Sequence, residues 1–380
     1  MALSSLSVAK HFTRLRDPRR NHRKLHLLID IIVVALCAVI CGANDWQQIV
    51  TFGQQRYDWL KTFLALPNGI PAHDTFERVF DRLDPQAFLG CFQRWVETLT
   101  HALGLKHVAI DGKTMRHSGA ATRKLKPLHI VSAWATEQHL TLGQVAVDDK
   151  SNEITAIPQL LELLDVQGAL VTIDAMGCQK AIATKIVAAG GDYVLSVKDN
   201  QPNLLADIQE TITEALANGR EGVEYQTYES TDKKHGREET RSYLIVTDLD
   251  KIRNRQDWAE LKVIGMYTST RIVAGQRSDE AHYFIGSRCA DAYVYGNALR
   301  DHWSIENNLH WQLDVTFAED ANRVQRRHGG QNLALIRRLA LSLLKRQSSK
   351  GSMACKRLAA ALNTAFLEEI LSDGSNLGKA

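Results

Sequence analysis

Apolar residues recur at three and four positions through the first hundred residues, predicting helices over 27–43, 46–66 and 75–105, with Pro67 and Pro71 as breaks. The first run, LLIDIIVVALCAVICGA, is apolar except for Asp30. It falls slightly short of the ~20 residues a bilayer helix needs, and Asp30 would be costly in lipid, so a buried helix and no membrane contact are expected. At Lys106 the period changes. HVAID, LHIVSAWAT and LTLGQVAVD read as three strands rich in β-branched residues. The pattern then alternates: a helix over 154–164, the strand ALVTIDA, a helix over 179–189 ended by Gly190-Gly191, the strand DYVLSV and a helix over 202–217. Between 219 and 288, runs such as RSYLIV, KVIGMYTSTRIV and AHYFIGS predict strands, and 293–313 and 332–346 are helical again.

Three strands followed by helix, strand, helix, strand, helix is the element order of the ribonuclease-H-like fold. The opening strands imply a hairpin meander and the βαβ part parallel pairing. The expected architecture is therefore α/β: an all-α front domain over 1–105, a ribonuclease-H-like domain built from 106–218 and 289–372, and a β-rich insertion over 219–288 between its two parts.

Composition adds little: with 380 residues, 44% hydrophobic and 23% charged, the chain can bury a large core, and a net charge of +3 names no partner. The distribution of charge says more. Arg14, Arg16, Arg19, Arg20, Arg23 and Lys24 stand against Asp17 alone, and 323–357 holds ten Lys or Arg, among them Arg323, Arg326, Arg327, Arg337, Arg338 and Arg357, with no acid. Two such runs are either solvated faces or arms for nucleic acid. The six cysteines form no Cys-x-x-Cys pair, which disfavours a zinc knuckle or disulfide framework and suits a reducing cytoplasm. Basic residues persist through Lys24 with no Ala-x-Ala site after the apolar run, so no secretory signal is expected.

Asp111 ends the first core strand in HVAIDGKTMR, and Asp174 ends another in ALVTIDAMG. Either alone could cap a turn. Together, on strands that are neighbours in the inferred fold, they suggest a shared cation, because an ionised carboxylate in an apolar run is costly without one. A third acid is available in Glu306, which shares a helix face with His302 and His310 at i, i+4 and i+8. Three oxygen donors suit two magnesium or manganese ions and in-line phosphoryl displacement. The same stripe permits a rival zinc site, although its spacing is not His-Glu-x-x-His. Asp314, Glu319 and Asp320 compete for the third position.

Lys113 and Arg116 follow Asp111 and could clamp phosphates, and Lys198 and Asn200 end the fifth strand on the same edge. Trp303 and Trp311 are candidates either for stacking on an unpaired base or for the core. No Gly-rich phosphate loop, dinucleotide fingerprint or Gly-x-Ser-x-Gly elbow occurs, which removes support for ATP hydrolysis, hydride transfer and serine esterase chemistry.

In order, AIDGKTMR, VTIDAMGCQ, VLSVKDNQ, HGREETR and HWSIENNLHWQLDVTFAEDANR resemble the DDE transposases of bacterial insertion sequences, in particular the H-repeat-associated family found with Rhs elements. The resemblance spans nearly the whole chain. It implies a helical associated domain, a ribonuclease-H-like catalytic domain and a β-rich insertion ahead of the last acid. It also implies a metal-binding triad of Asp111, Asp174 and Glu306, with Arg237 and Arg323 among its matched basic residues. Element ends and target DNA are the implied partners, bound by a homodimer. In the wider transposase pattern a Tyr and an Arg precede the Glu and a Lys lies seven residues after it, where this chain has Leu299, His302 and Leu313. Two alternatives keep the fold but change the role: a catalytically inactive or domesticated DNA-binding protein, and a structure-specific nuclease.

Overall fold

The computed structural model describes residues 8–20, 24–119, 126–147, 152–218, 224–234, 237–324 and 326–372. The chain is a mixed α/β protein built on one nine-stranded sheet. Among the described residues a 3-10 turn (Ala9–Phe12) and five α-helices precede the first strand: α1 (Leu28–Ile40), α2 (Trp46–Gln55), α3 (Tyr57–Lys61), α4 (His73–Arg82) and α5 (Pro85–Leu103). The predicted 46–66 helix breaks at Arg56, and 75–105 divides at Asp84-Pro85, where the Asp84 carboxylate caps α5 and proline occupies its first position.

No helix among the described residues is long and apolar enough to cross a membrane. Nearly every residue of α1 is buried, and Asp30 accepts the Leu66 N–H at 2.9 Å, which compensates the one carboxylate in the run.

The strands are β1 (His107–Met115), β2 (Leu128–Ala135), β3 (Leu140–Val147), β4 (Leu170–Ile173), β5 (Asp192–Val197), β6 (Tyr225–Lys234), β7 (Arg237–Val246), β8 (Val263–Val273) and β9 (Gln276–Gly286), in the order β3-β2-β1-β4-β5-β9-β8-β7-β6. β1, β4 and β5 run parallel, while β2 and β3 form an antiparallel meander. Helices α6 (Glu153–Leu161), α7 (Lys180–Ala188) and α8 (Pro202–Asn218) follow β3, β4 and β5. Residues 225–286 do not stand apart from the sheet, because β9 pairs antiparallel with β5 from Val194↔Gly286 to Val197↔Tyr283.

After β9 come α9 (Ala292–His302), α10 (Gly329–Arg346), α11 (Met353–Leu362) and α12 (Thr364–Leu371). Here the expectation of one regular helix over 293–313 is corrected. α9 ends at His302, and the chain continues through wide π-helical turns over Glu306–His310 and Gln312–Thr316, with Trp311 N–H reaching Glu306 O and Phe317 N–H reaching Gln312 O. The buried residues Ile305, Leu309, Leu313 and Phe317 recur every four positions, a stripe that drifts around a helix of 3.6 residues per turn but is held in line by wider turns. α10 packs against α1, so the front helices and the helix closing the second half share one apolar core.

Candidate active site

The register of β1 on β4 places the two aspartates side by side. Pairing runs from His107↔Leu170 to Ile110↔Ile173 and stops, so Asp111 and Asp174 are the next residues on adjacent strands, whose backbones lie about 5 Å apart. Asp111 remains within β1, paired to Ser132 of β2, whereas Asp174 leaves β4 and accepts Met176 N–H and Gly177 N–H at 3.1 and 3.4 Å. It caps and it faces the site, so the two readings of this residue do not compete. Glu306, on the first π turn, completes the set: all three acids line one cleft of about 610 Å³, with Lys198, His302 and Trp303 also on its wall.

Each carboxyl carries its environment in its pKa. For Asp111, burial pushes upward, but the hydrogen bond and charge of His310, with help from His302 and the Gly112 N–H, bring it below the usual range. The His310 Nδ1 to Asp111 Oδ2 distance is 3.4 Å. Asp174 is pushed up to about 6 by burial first, then by the negative charges of Asp111 and Glu153. Glu306 is raised by burial and by Asp111. The cleft therefore holds more negative charge than its own cations neutralise. Among the described residues no three His, Cys, Asp or Glu side chains form a ready-made metal cage, neither the three acids nor the helix stripe of His302, Glu306 and His310. His302 Nδ1 lies 2.9 Å from Thr172 Oγ1, and His310 Nδ1 turns to Asp111.

Several expected roles change. Lys113 is not a phosphate clamp. It is buried and paired with Asp314 at 2.5 Å and Asp320 at 3.2 Å, which locks β1 to the segment after the π turns. The same pairs remove Asp314 and Asp320 from competition for the third acid, and Glu319, fully buried, is taken by Arg338 at 2.9 Å. Arg116 is exposed, with its Nε 3.6 Å from Asp320 Oδ2. Asn200 donates to Ala175 O at 2.7 Å and so steadies the turn after Asp174. Lys198 and Arg323 are exposed. Arg237 opens β7, and its side chain lies outside the described residues. Trp303 and Trp311 are about half exposed, at 47% and 54%, which removes the core reading for both.

The basic segment 323–357 is corrected most strongly. Arg337, Arg338, Lys356 and Arg357 are buried and bind carbonyl oxygens: Arg337 donates to Asn44 O at 3.0 Å, Arg357 to Val39 O at 2.9 Å, and Lys356 to Leu344 O at 3.3 Å. Two of these acceptors lie in the last turns of α1 and α10, where unpaired carbonyls attract cations. What stays exposed is Arg323, Arg326, Arg327 and Lys350, together with Arg14, Arg16, Arg20 and Lys24 at the front; Arg23 lies outside the described residues.

Sequence reasoning missed the cleft wall supplied by β8 and β9, where Tyr267 and His282 stack at 4.6 Å between centroids. It also missed Gly112. A Cβ there would overlap the Glu153 carboxylate, which bonds His129 at 2.7 Å, so only glycine lets that pair lie across β1 behind Asp111.

The family model described as Transposase DDE domain matches residues 103–343, and one described as DDE_Tnp_1-associated matches 9–96. The chain belongs to the DDE transposase family. This DNA transposase is 39% identical over 381 residues to "Putative transposase YncI" of Escherichia coli O157:H7, covering 99% of this chain and 97% of that one. It is 36% identical over 376 residues to "H repeat-associated putative transposase YhhI" of Escherichia coli strain K12, covering 97% and 98%. Among solved structures, the piggyBac transposase synaptic complex with hairpin DNA aligns with a TM-score of 0.37 and 10% identity, over 100% of the transposase chain and 80% of its own.

Proposed function

We propose that this transposase uses Asp111, Asp174 and Glu306 to cleave a phosphodiester at the ends of a mobile element, freeing a 3′-hydroxyl that is then joined to target DNA. The observation that carries this reading is the convergence of three acids, from β1, the end of β4 and the turn after α9, on one cleft. A ribonuclease-H-like catalytic domain over 106–218 and 289–372 is supported by the β3-β2-β1-β4-β5 order and its parallel centre. Residues 1–105 form the associated domain and 219–288 the insertion.

Magnesium or manganese fits the donor set. The three groups are oxygen donors, and Asp174 is raised by burial first and then by the negative charges of Asp111 and Glu153, which a bound cation would offset. Two such ions, when bound, supply activation of the attacking oxygen and stabilisation of the leaving one. The chain's own groups do the rest. Asp111 is kept ionised and oriented by His310. Asn200 holds the turn that aims Asp174. Lys198 and Trp303 offer a cation and a stacking face at the cleft wall. The exposed arginines and lysines of 14–24 and 323–327, with Arg116, contact phosphates of double-stranded ends and target. Joining two ends calls for a dimer, acting in the cytoplasm on chromosomal DNA.

The test is nicking of a duplex carrying the repeats that flank the coding region, with magnesium. The wild type cuts at the repeat end. Asp111→Asn and Glu306→Gln cut about 100-fold more slowly or worse while still binding the duplex. Full turnover by either variant overturns the triad. Binding without cutting by the wild type makes the protein an inactive DNA binder, and cutting of branched DNA regardless of repeats makes it a nuclease.

A further inference from the structure

Helix α11 is built inside out. Between Gly351 and Leu367 the only charged residues are Lys356 and Arg357, and both are buried, while Leu358 and Leu362 are exposed at 61% and 74%. The inward cations have an evident task. Arg357 donates to Val39 O in the last turn of α1 and lies 4.2 Å from the Phe317 ring, and Lys356 donates to Leu344 O in the last turn of α10. Cations are favoured at both places by the helix dipole. Nothing inside the chain accounts for the outward leucines. A surface helix ordinarily turns polar residues to water, whereas α11 turns out Ala354, Leu358 and Leu362, one turn apart from each other.

The apolar face does not end with the helix. A groove of about 500 Å³ separates α11 from the π turns, lined by Trp311, Val315, Met353 and Leu358. Trp311 and Val315 stand out from its far side, at 54% and 62% exposure. Together Trp311, Val315, Leu358 and Leu362 leave on the order of 500 Å² of side chain in water, the upper part of the range for the largest apolar patch on a monomer.

The absence of charge on this face decides what covers it. DNA phosphates are held by cations, and both cations of α11 point inward. A partner that docks through complementary charge finds no charge to meet. A second copy of this chain fits, because two uncharged faces oppose each other without repulsion and a two-fold contact needs only one self-complementary patch. With Leu358 and Leu362 one turn apart, antiparallel packing of α11 on its own copy sets each leucine against the other kind. Two such patches buried together remove roughly 1,000 Å², the size at which a specific interface begins.

We infer that the outward face of α11, with Trp311 and Val315, is the two-fold contact through which two copies of this chain associate. The inference adds a surface to the dimer of the proposed function and does not depend on the acid triad. Trp311 stands five residues after Glu306 on the same stretch of wide turns, so the contact also braces the segment that carries the third acid.

The experiment uses the full chain without DNA, in sedimentation velocity at ~20 µM and in alkylation of its cysteines. Cys355 is exposed on α11, and Cys289, after β9, is the other exposed cysteine among the described residues and serves as the reference. The wild type is expected to sediment as a dimer. Leu358→Glu with Leu362→Glu, good helix formers at exposed positions, is expected to be a folded monomer. With a dimer constant of ~1 µM, about one chain in six is monomeric at this concentration, so Cys355 reacts about sixfold more slowly in the wild type than in the variant, with Cys289 unchanged. A monomeric wild type overturns the inference whether or not the variant folds. So does a dimer that survives both substitutions, or one in which Cys355 reacts as fast as in the monomer, since the contact then lies elsewhere. Protection of Cys355 that does not weaken on dilution shows the chain covering its own face, and overturns it as well. A dimer of this kind that cuts no DNA leaves the inference standing and sinks the proposed function alone.

Discussion

Asp174 is the residue at which function and stability should part company. Its carboxyl rises from the ordinary 3.8 to about 6, through burial and the charges of Asp111 and Glu153. The native state thus holds this proton more tightly than the unfolded chain does. Stability falls as pH rises from about 4 through about 6, and the loss persists above that. About two pH units correspond to a ceiling of ~3 kcal/mol. Water reaching the cleft screens part of this, so ~1–2 kcal/mol is expected. Asp174→Asn removes the charge while its Oδ1 still accepts from Met176 and Gly177, so the turn is kept. For 380 residues, an unfolding entropy of ~0.8 kcal/mol per degree converts the gain to a Tm increase of ~1–3 °C. Calorimetry of both proteins at pH 8 and pH 4.5 measures it. The variant should be the more stable at pH 8, the gap should shrink at pH 4.5, and magnesium should raise the wild-type Tm more than the variant's. An asparagine variant equal to or below the wild type at pH 8 would refute the claim that the acids are short of positive charge.

Two further expectations concern the frame. Arg338→Leu leaves Glu319 buried without its closest cation and should cost ~3–5 kcal/mol in urea unfolding, whereas Arg338→Leu with Glu319→Leu should recover most of that; an equal loss in both would mean the pair is not what matters. Gly286→Ala puts a methyl group into the ring of Tyr295, which is fully buried and donates to Arg288 O at 2.6 Å, so a loss of ~1–3 kcal/mol is expected in the urea midpoint, and no loss would show that β9 and α9 can separate freely.

Local chemistry made much of the site readable. Asp111 and Asp174 each end an apolar run, and a shift from helical to strand periodicity at Lys106 announces the sheet that brings them together. The four-residue recurrence of His302, Glu306, His310 and Asp314, parallel to that of Ile305, Leu309, Leu313 and Phe317, was also a signal, one that marks wider turns than an α-helix allows. Residues whose partners lie far away in the chain were harder to interpret. Lys113 looked like a clamp because its neighbours in sequence include Asp111, but its partners are Asp314 and Asp320, some two hundred residues on.

The order of apolar and polar positions by itself determined most of the elements and which acids end core strands, because those properties depend on residues within a turn or a strand of one another; the π turns after α9 were beyond it. Only the tertiary structure decided which charges face solvent. Arg337, Arg338 and Arg357 belong to a run as basic as any nucleic-acid arm, yet the packing of α10 and α11 against α1 turns them inward onto carbonyls and a glutamate. A cation's role is set by the nearest unsatisfied oxygen in space, and sequence distance carries no information about where that oxygen is.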